Sequence, residues 1–104
     1  MAMDIKAAIA QLMAGKDLGR DAMSDVMTQI MTGEASPAQI GGFLVALTQK
    51  GETVDEITGA AQVMRQLATP VNVDVPVLVD TCGTGGDGSS LFNVSTACTF
   101  VVAA

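Results

Sequence analysis

A glycine cluster followed at once by hydroxyls and an amide is where this chain could do chemistry. Gly83, Gly85, Gly86 and Gly88 fall within six residues, with Thr84 and Asp87 between them, and Asn93, Ser95 and Thr96 come next. Glycines let backbone N–H groups turn inward and approach a ligand that a Cβ would exclude. A helix starting near Asn93 would add unpaired N–H donors and partial positive charge. Together these features read as a phosphate-binding loop. Asp87 has the wrong sign to touch a phosphate. Its carboxylate suits backbone N–H groups of the loop, ribose hydroxyls or a metal.

The elements that must hold this loop are legible on both sides. Val77 to Thr81 is apolar enough for a strand buried on both faces. Asn93 or Ser95 can cap a helix running through Ala97 to Ala104, which carries no charge and is expected to be buried all round. One such strand and one such helix cannot cover each other: either the strand pairs with another chain or, the favoured expectation, these residues open a larger α/β domain. Residues 70 to 76, with Pro70 and Pro76 at the ends, form a linker. Upstream, residues 4 to 68 read as four helices. The first carries Ile5, Ala8, Ile9, Leu12 and Met13 on one face, with Asp4 as its cap and Gly15 as its stop. The second carries Ala22, Met23, Val26, Met27, Ile30 and Met31 and stops at Gly33. The third opens with the capping box Ser36-Pro37-Ala38-Gln39, buries Ile40, Phe43, Leu44 and Leu47, and ends at Lys50-Gly51. The fourth opens with the capping box Thr53-Val54-Asp55-Glu56 and presents Ile57, Ala60, Ala61, Met64 and Leu67 before Pro70. Gly41-Gly42 inside the third helix is expected to serve close helix packing.

Composition bounds the partners. With 104 residues, 49% apolar and three aromatics, all Phe, the core must come from Met, Leu, Ile, Val and Ala. The seven methionines are expected to pack helices. A net charge of −6 argues against nucleic acid. All five cations (Lys6, Lys16, Arg20, Lys50, Arg65) precede residue 66, so a polyanion at the glycine loop needs a metal ion or basic residues from elsewhere. Cys82 and Cys98, without CxxC or any His, form neither a zinc site nor a disulfide framework, and read as buried thiols in a reducing cytoplasm. There is no signal-peptide pattern and no apolar run of the ~20 residues that span a bilayer.

Gly83-Thr84-Gly85-Gly86-Asp87-Gly88 matches G-x-G-x-x-G, but Ser89-Ser90-Leu91-Phe92 intervene before the helix cap. A dinucleotide loop would place its last glycine in the helix's opening turn. A Walker loop would need Lys where Ser89 stands. A connection that merely turns the chain would not need Asp87, Asn93, Ser95 and Thr96. The pairing of G-T-G-G-D-G with N-x-S-T instead resembles the signature of the anthranilate phosphoribosyltransferase family. The run Ser36 to Leu47, Lys50-Gly51-Glu52-Thr53, Glu56 to Ala60 and Met64-Arg65 are similar to the same family, so the resemblance covers nearly the whole chain.

This resemblance implies an overall α/β fold of the nucleoside phosphorylase/phosphoribosyltransferase type. A helical dimerisation domain over 1–69 is followed, over 70–104, by a linker and the first strand, glycine loop and helix of the larger domain. It implies an enzyme that transfers the phosphoribosyl group of phosphoribosyl pyrophosphate to anthranilate in tryptophan biosynthesis, as a cytoplasmic homodimer requiring Mg²⁺. Gly83, Thr84, Gly85, Gly86 and Asp87 would contact phosphoribosyl pyrophosphate, with Gly83 also near anthranilate. Asn93, Val94, Ser95 and Thr96 would hold the diphosphate end, Ser95 also serving as a Mg²⁺ ligand. No general base is implied. Leu91 stands where relatives commonly carry Thr or Ser. The family's basic segment, anthranilate-binding residues and acidic metal-binding pair are expected beyond residue 104. Pyrimidine nucleoside phosphorylases, with a similar fold and a related glycine-rich loop, are the alternative; the pairing of the two motifs favours the anthranilate enzyme. For these 104 residues alone, the expectation is a helical association module without transferase activity.

Overall fold

The computed structural model of the chain describes residues 1–86 and 88–104. Its helices are α1 (Ile5–Met13), α2 (Arg20–Met31), α3 (Pro37–Lys50), α4 (Val54–Leu67) and α5 (Val94–Ala103). Two compact units contain them, Met1–Pro70 and Val71–Ala104.

In the first unit the helix ends follow local chemistry. Ser36 accepts from the Gln39 amide at 3.2 Å while the Gln39 side chain accepts from the Ser36 amide at 2.9 Å, so two otherwise orphaned donors at the start of α3 are satisfied. Thr53 and Glu56 form the same reciprocal pair at α4. Gly33 and Gly51, with φ of 82° and 89°, take the left-handed backbone that closes α2 and α3. At α1 the expected cap is corrected. Asp4 occupies the cap position but makes no side-chain cap bond. The first turn is satisfied from α2 instead: Gln29 Oε1 accepts from Ile5 N at 3.1 Å, and Asp25 Oδ2 accepts from Met3 N at 2.8 Å.

Packing runs between alternate helices, α1 along α3 and α2 along α4. Ile5, Ala8, Leu12, Met23, Val26, Phe43 and Ala46 form one buried cluster with Leu18 and Ala35 from the connections. Phe43, Leu12, Met23 and Val26 are completely enclosed, each contributing about 1.5–3 kcal/mol. The methionines divide. Met23 is buried, Met3 and Met27 pack partly against the cluster, and Met1, Met13, Met31 and Met64 are exposed, against the expectation of core packing for all. Leu44 is likewise exposed.

The largest departure is the face that α4 turns inward. It buries Glu56, Gly59 and Val63, while Ile57, Met64 and Leu67 of the expected stripe stay exposed. Gly59 explains the choice. A Cβ there would run into the Arg20 carbonyl, so α4 lies against the start of α2 with no side chain between them. Ser24 Oγ, which donates to Arg20 O at 3.0 Å, also reaches Gly59 O at 3.3 Å. The Gly41-Gly42 expectation fails in a complementary way: nothing lies within 4 Å of a Cβ at Gly41, and only Ile9 Cδ1 approaches one at Gly42, at 3.8 Å.

Glu56 is the buried charged side chain of this unit. Its Oε1 accepts from Leu18 N at 2.9 Å, and its Oε2 accepts from Thr53 N at 2.8 Å and from Lys50 Nζ at 3.0 Å. Lys50 Nζ also reaches Asp17 Oδ1 at 2.7 Å and donates to Gly51 O at 2.6 Å. Burial pushes the Glu56 carboxyl up, but the Leu18 and Thr53 amides and the Lys50 ammonium outweigh it, so the group sits below its ordinary value of 4.5. The hydrogen bond to Asp17 raises Lys50 above its ordinary 10.5, partly opposed by burial and reinforced by Glu56.

In the second unit, the expected strand at Val77–Thr81 is not formed, and no strand occurs among the described residues. A strand exists through its ladder, and no described segment supplies one. For the same reason α5 has no buried residue, although its composition calls for burial. Cys82 and Cys98 are free and exposed, which corrects the expectation of buried thiols. None of the helices is long and apolar enough to cross a membrane, among the described residues.

Glu56→Ala should cost the first unit about 3–5 kcal/mol, read as a fall in the urea midpoint. A carboxyl lowered on folding gives stability that is complete above its unfolded value and lost as pH falls through its folded value. A raised ammonium gives stability complete below its unfolded value and lost as pH rises through its folded value. The midpoint should therefore be flat between pH 5.5 and 9.5, roughly one unit inside the two ordinary values, and fall on both sides; Glu56→Gln should remove the acidic limb. Gly59→Ala should cost about 1–3 kcal/mol despite its better helix propensity; a midpoint at or above wild type would contradict the close contact of α4 with α2.

Candidate functional site

The residues singled out for phosphate chemistry lie in the second unit, on the segment entering the glycine loop and at the start of α5. Asn93 is the N-cap of α5, its Oδ1 accepting from Thr96 N at 2.9 Å. The side chain of Asn93 is therefore partly committed to starting the helix, and Val94, Ser95 and Thr96 form its first turn. Of the loop glycines, Gly85, Gly86 and Gly88 have φ of 69°, 74° and 67°, where a side chain is strained. Ser90 shares this left-handed backbone at φ 48° without being glycine, a feature its residue type did not signal. Thr84 is exposed. Asp87, expected to brace the loop or face ribose or metal, lies outside the described residues.

Gly83 differs from its neighbours. Its backbone does not require glycine, and an added Cβ would make only ordinary contact, 3.8 Å from Ser95 Oγ. What a methyl would do is occupy the space in front of the Ser95 hydroxyl. The structure thus brings Gly83 and Ser95 together across the loop. A hydroxyl facing a bare backbone suits a small oxyanion, or a hard cation that keeps its own water. Among the described residues, no three His, Cys, Asp or Glu side chains gather to hold a metal. From those residues, Ser95 could contribute one neutral oxygen ligand to such an ion.

Two residues outside the expected set hold this arrangement. Thr81 Oγ1 donates to Ser95 O at 3.2 Å and lies 3.0 Å from Thr99 Oγ1, which donates to the same carbonyl at 3.1 Å. The available signal was a hydroxyl inside an otherwise apolar helix at Thr99, and another at the end of an apolar run at Thr81.

Asp80 braces the approach to the loop. Its Oδ1 accepts from Cys82 N at 2.8 Å and its Oδ2 from Cys82 Sγ at 3.5 Å. The Cys82 amide and thiol lower the Asp80 carboxyl, and Asp80 in turn raises the Cys82 thiol. Cys82 is accordingly kept as a neutral thiol at neutral pH, a poor nucleophile despite its exposure. Nothing here suggests thiol chemistry.

Comparison with known proteins adds to this geometry. Residues 6–68 match the family model described as the glycosyl transferase family, helical bundle domain. Residues 75–104 match the model of the same family's a/b domain. The chain is 72% identical over 102 residues to the anthranilate phosphoribosyltransferase of Hahella chejuensis, a match covering 98% of this chain and 30% of that protein. It is 70% identical to the enzyme of that name from Cellvibrio japonicus and 66% identical to that from Teredinibacter turnerae, with the same coverage of 98% and 30%. The chain thus spans about three-tenths of the length of these relatives.

Asp80→Asn should lower the Cys82 thiol and speed its alkylation by iodoacetamide at pH 8 several-fold (on the order of 3–10), followed by mass spectrometry with Cys98 as the internal reference. An unchanged ratio of the two rates would mean that Asp80 does not control the thiol.

Proposed function

The chain belongs to the glycosyl transferase family, carrying its helical bundle and the start of its α/β domain, and from this we propose that it forms part of an anthranilate phosphoribosyltransferase. The carrying observation is the 72% identity over 98% of the chain to a protein of that name. The nearness of Gly83 to Ser95 Oγ supports the same reading, since no side chain stands between the loop backbone and that hydroxyl.

In this reading the phosphoribosyl group of phosphoribosyl pyrophosphate passes to anthranilate, giving N-phosphoribosyl-anthranilate and diphosphate in tryptophan biosynthesis. The anthranilate nitrogen forms a bond to the anomeric carbon as the bond from that carbon to the diphosphate oxygen breaks, and the nitrogen then loses its proton to solvent. The transition state has oxocarbenium character, so positioning and stabilisation of the departing charge carry the rate. The backbone around Gly83, Thr84, Gly85, Gly86 and Asp87 lines the sugar and phosphates. Asn93, Val94, Ser95 and Thr96 hold the diphosphate at the amino end of α5, where the helix dipole favours an anion. Ser95 Oγ would be a ligand of Mg²⁺, and the cation would neutralise charge on the leaving group. Residues 71–104 contain no Lys or Arg, so further cations come from outside this segment. The nucleoside-phosphorylase type of α/β fold, homodimerisation through the helical unit and a cytoplasmic location complete the reading.

Gly83→Ala tests it in the intact enzyme containing these residues. The backbone tolerates the methyl, so the melting temperature should stay close to wild type while the KM for phosphoribosyl pyrophosphate rises about tenfold or more. Wild-type kinetics in that variant would remove Gly83 from the site, and an intact enzyme that turns over thymidine and phosphate in preference to phosphoribosyl pyrophosphate and anthranilate would remove the assignment.

A further inference from the structure

Among the described residues of 71–104, only Thr81 and Ser95 are partly buried; the rest are exposed. These two touch. The bond from Thr99 to Ser95 O is the familiar hydroxyl bond back to the preceding helical turn. The contacts of Thr81 are of another kind: its hydroxyl donates to the Ser95 carbonyl, 14 positions on, and lies beside the Thr99 hydroxyl, 18 positions on. They tie the segment entering the glycine loop to the first turn of α5. Two residues beyond Thr81 comes Gly83, whose bare face looks onto Ser95 Oγ. Between them, the Asp80 carboxylate grips the Cys82 amide and stiffens the link. A displacement at Thr81 is therefore passed directly to the gap between Gly83 and Ser95.

We propose that Thr81 is a positioning residue for diphosphate binding, its hydroxyl setting the separation between Gly83 and Ser95 by donating to the Ser95 carbonyl. The inference rests on the function proposed above, because it concerns how the same loop is held ready for phosphoribosyl pyrophosphate. Thr81 itself touches no reacting atom. Its contribution is preorganisation: without the anchor, the loop arm and the helix start must be brought together at the moment of binding.

The test compares Thr81→Val, Thr81→Ser and Thr99→Val with wild type in the intact enzyme. Calorimetry gives the affinity for phosphoribosyl pyrophosphate with Mg²⁺, steady-state kinetics gives both KM values and kcat, and calorimetric melting gives stability. Thr81→Val keeps the shape and removes the donor. It should weaken phosphoribosyl pyrophosphate binding about five- to tenfold, raise the KM for that substrate in step, and leave the KM for anthranilate and the melting temperature near wild type. Thr81→Ser should restore binding, and Thr99→Val should give a smaller loss because Thr81 keeps the Ser95 carbonyl. If wild type binds and Thr81→Val binds equally well, the positioning role is wrong and the function stands. The positioning role is equally overturned if Thr81→Ser fails to rescue, or if binding falls only as far as stability falls. If wild type does not bind phosphoribosyl pyrophosphate at all, both the function and this inference fall.

Discussion

The helical unit depends on one carboxylate. Glu56 sits fully enclosed and accepts from the Leu18 amide, the Thr53 amide and the Lys50 ammonium. Those donors belong to the α1–α2 connection, the cap of α4 and the end of α3. A buried charge is tolerated only when its lone pairs are filled, and here filling them requires three chain segments to arrive in one arrangement. The same contact also fixes the rotation of α4. With Glu56 turned inward, Gly59 and Val63 follow at helical spacing, and Gly59 permits the close approach to Arg20 that completes the seating.

Local chemistry makes much of this unit readable. Both capping boxes, the left-handed glycines after α2 and α3, and the position of every helix follow from residue types at short range. What the sequence hides is tertiary. Hydrophobic periodicity gives α4 an obvious inner face at Ile57, Ala60, Ala61 and Met64, yet only Ala60 of these packs against the core, and a capping glutamate and a glycine decide the rest. Their partners, Leu18, Lys50 and Arg20, are distant in the chain. Asp4 has the residue type of a cap, but Gln29 of α2 takes over the Ile5 amide. Val77 to Thr81 has the composition of a strand, but composition supplies no ladder.

The candidate site is readable to a different depth. Glycines and polar groups mark where a phosphate could sit, and Asn93 caps its helix as its residue type suggests. The role of Gly83 differs in kind from that of its neighbours: its value lies in the missing side chain opposite Ser95, while Gly85, Gly86 and Gly88 supply the unusual backbone. Thr81 and Thr99 escape notice in the sequence because a threonine in an apolar run is usually a β-branched filler. Only their mutual distance, and their shared hold on Ser95 O, separates them from that ordinary role.

The alternate pairing of helices bears on how the unit comes into being. With α1 laid along α3 and α2 along α4, neither half of the sequence makes a self-sufficient hairpin. Each close pair must close a loop that contains another whole helix, and the Glu56 contact joins residues 38 positions apart. Loop closure must therefore precede most of the reward from burial, which slows folding relative to bundles of sequential hairpins. During synthesis, α1 and α2 emerge before α3 and α4, the helices they chiefly pack along. The α2–α4 pairing, with its Glu56 contact, can form only once α4 has emerged.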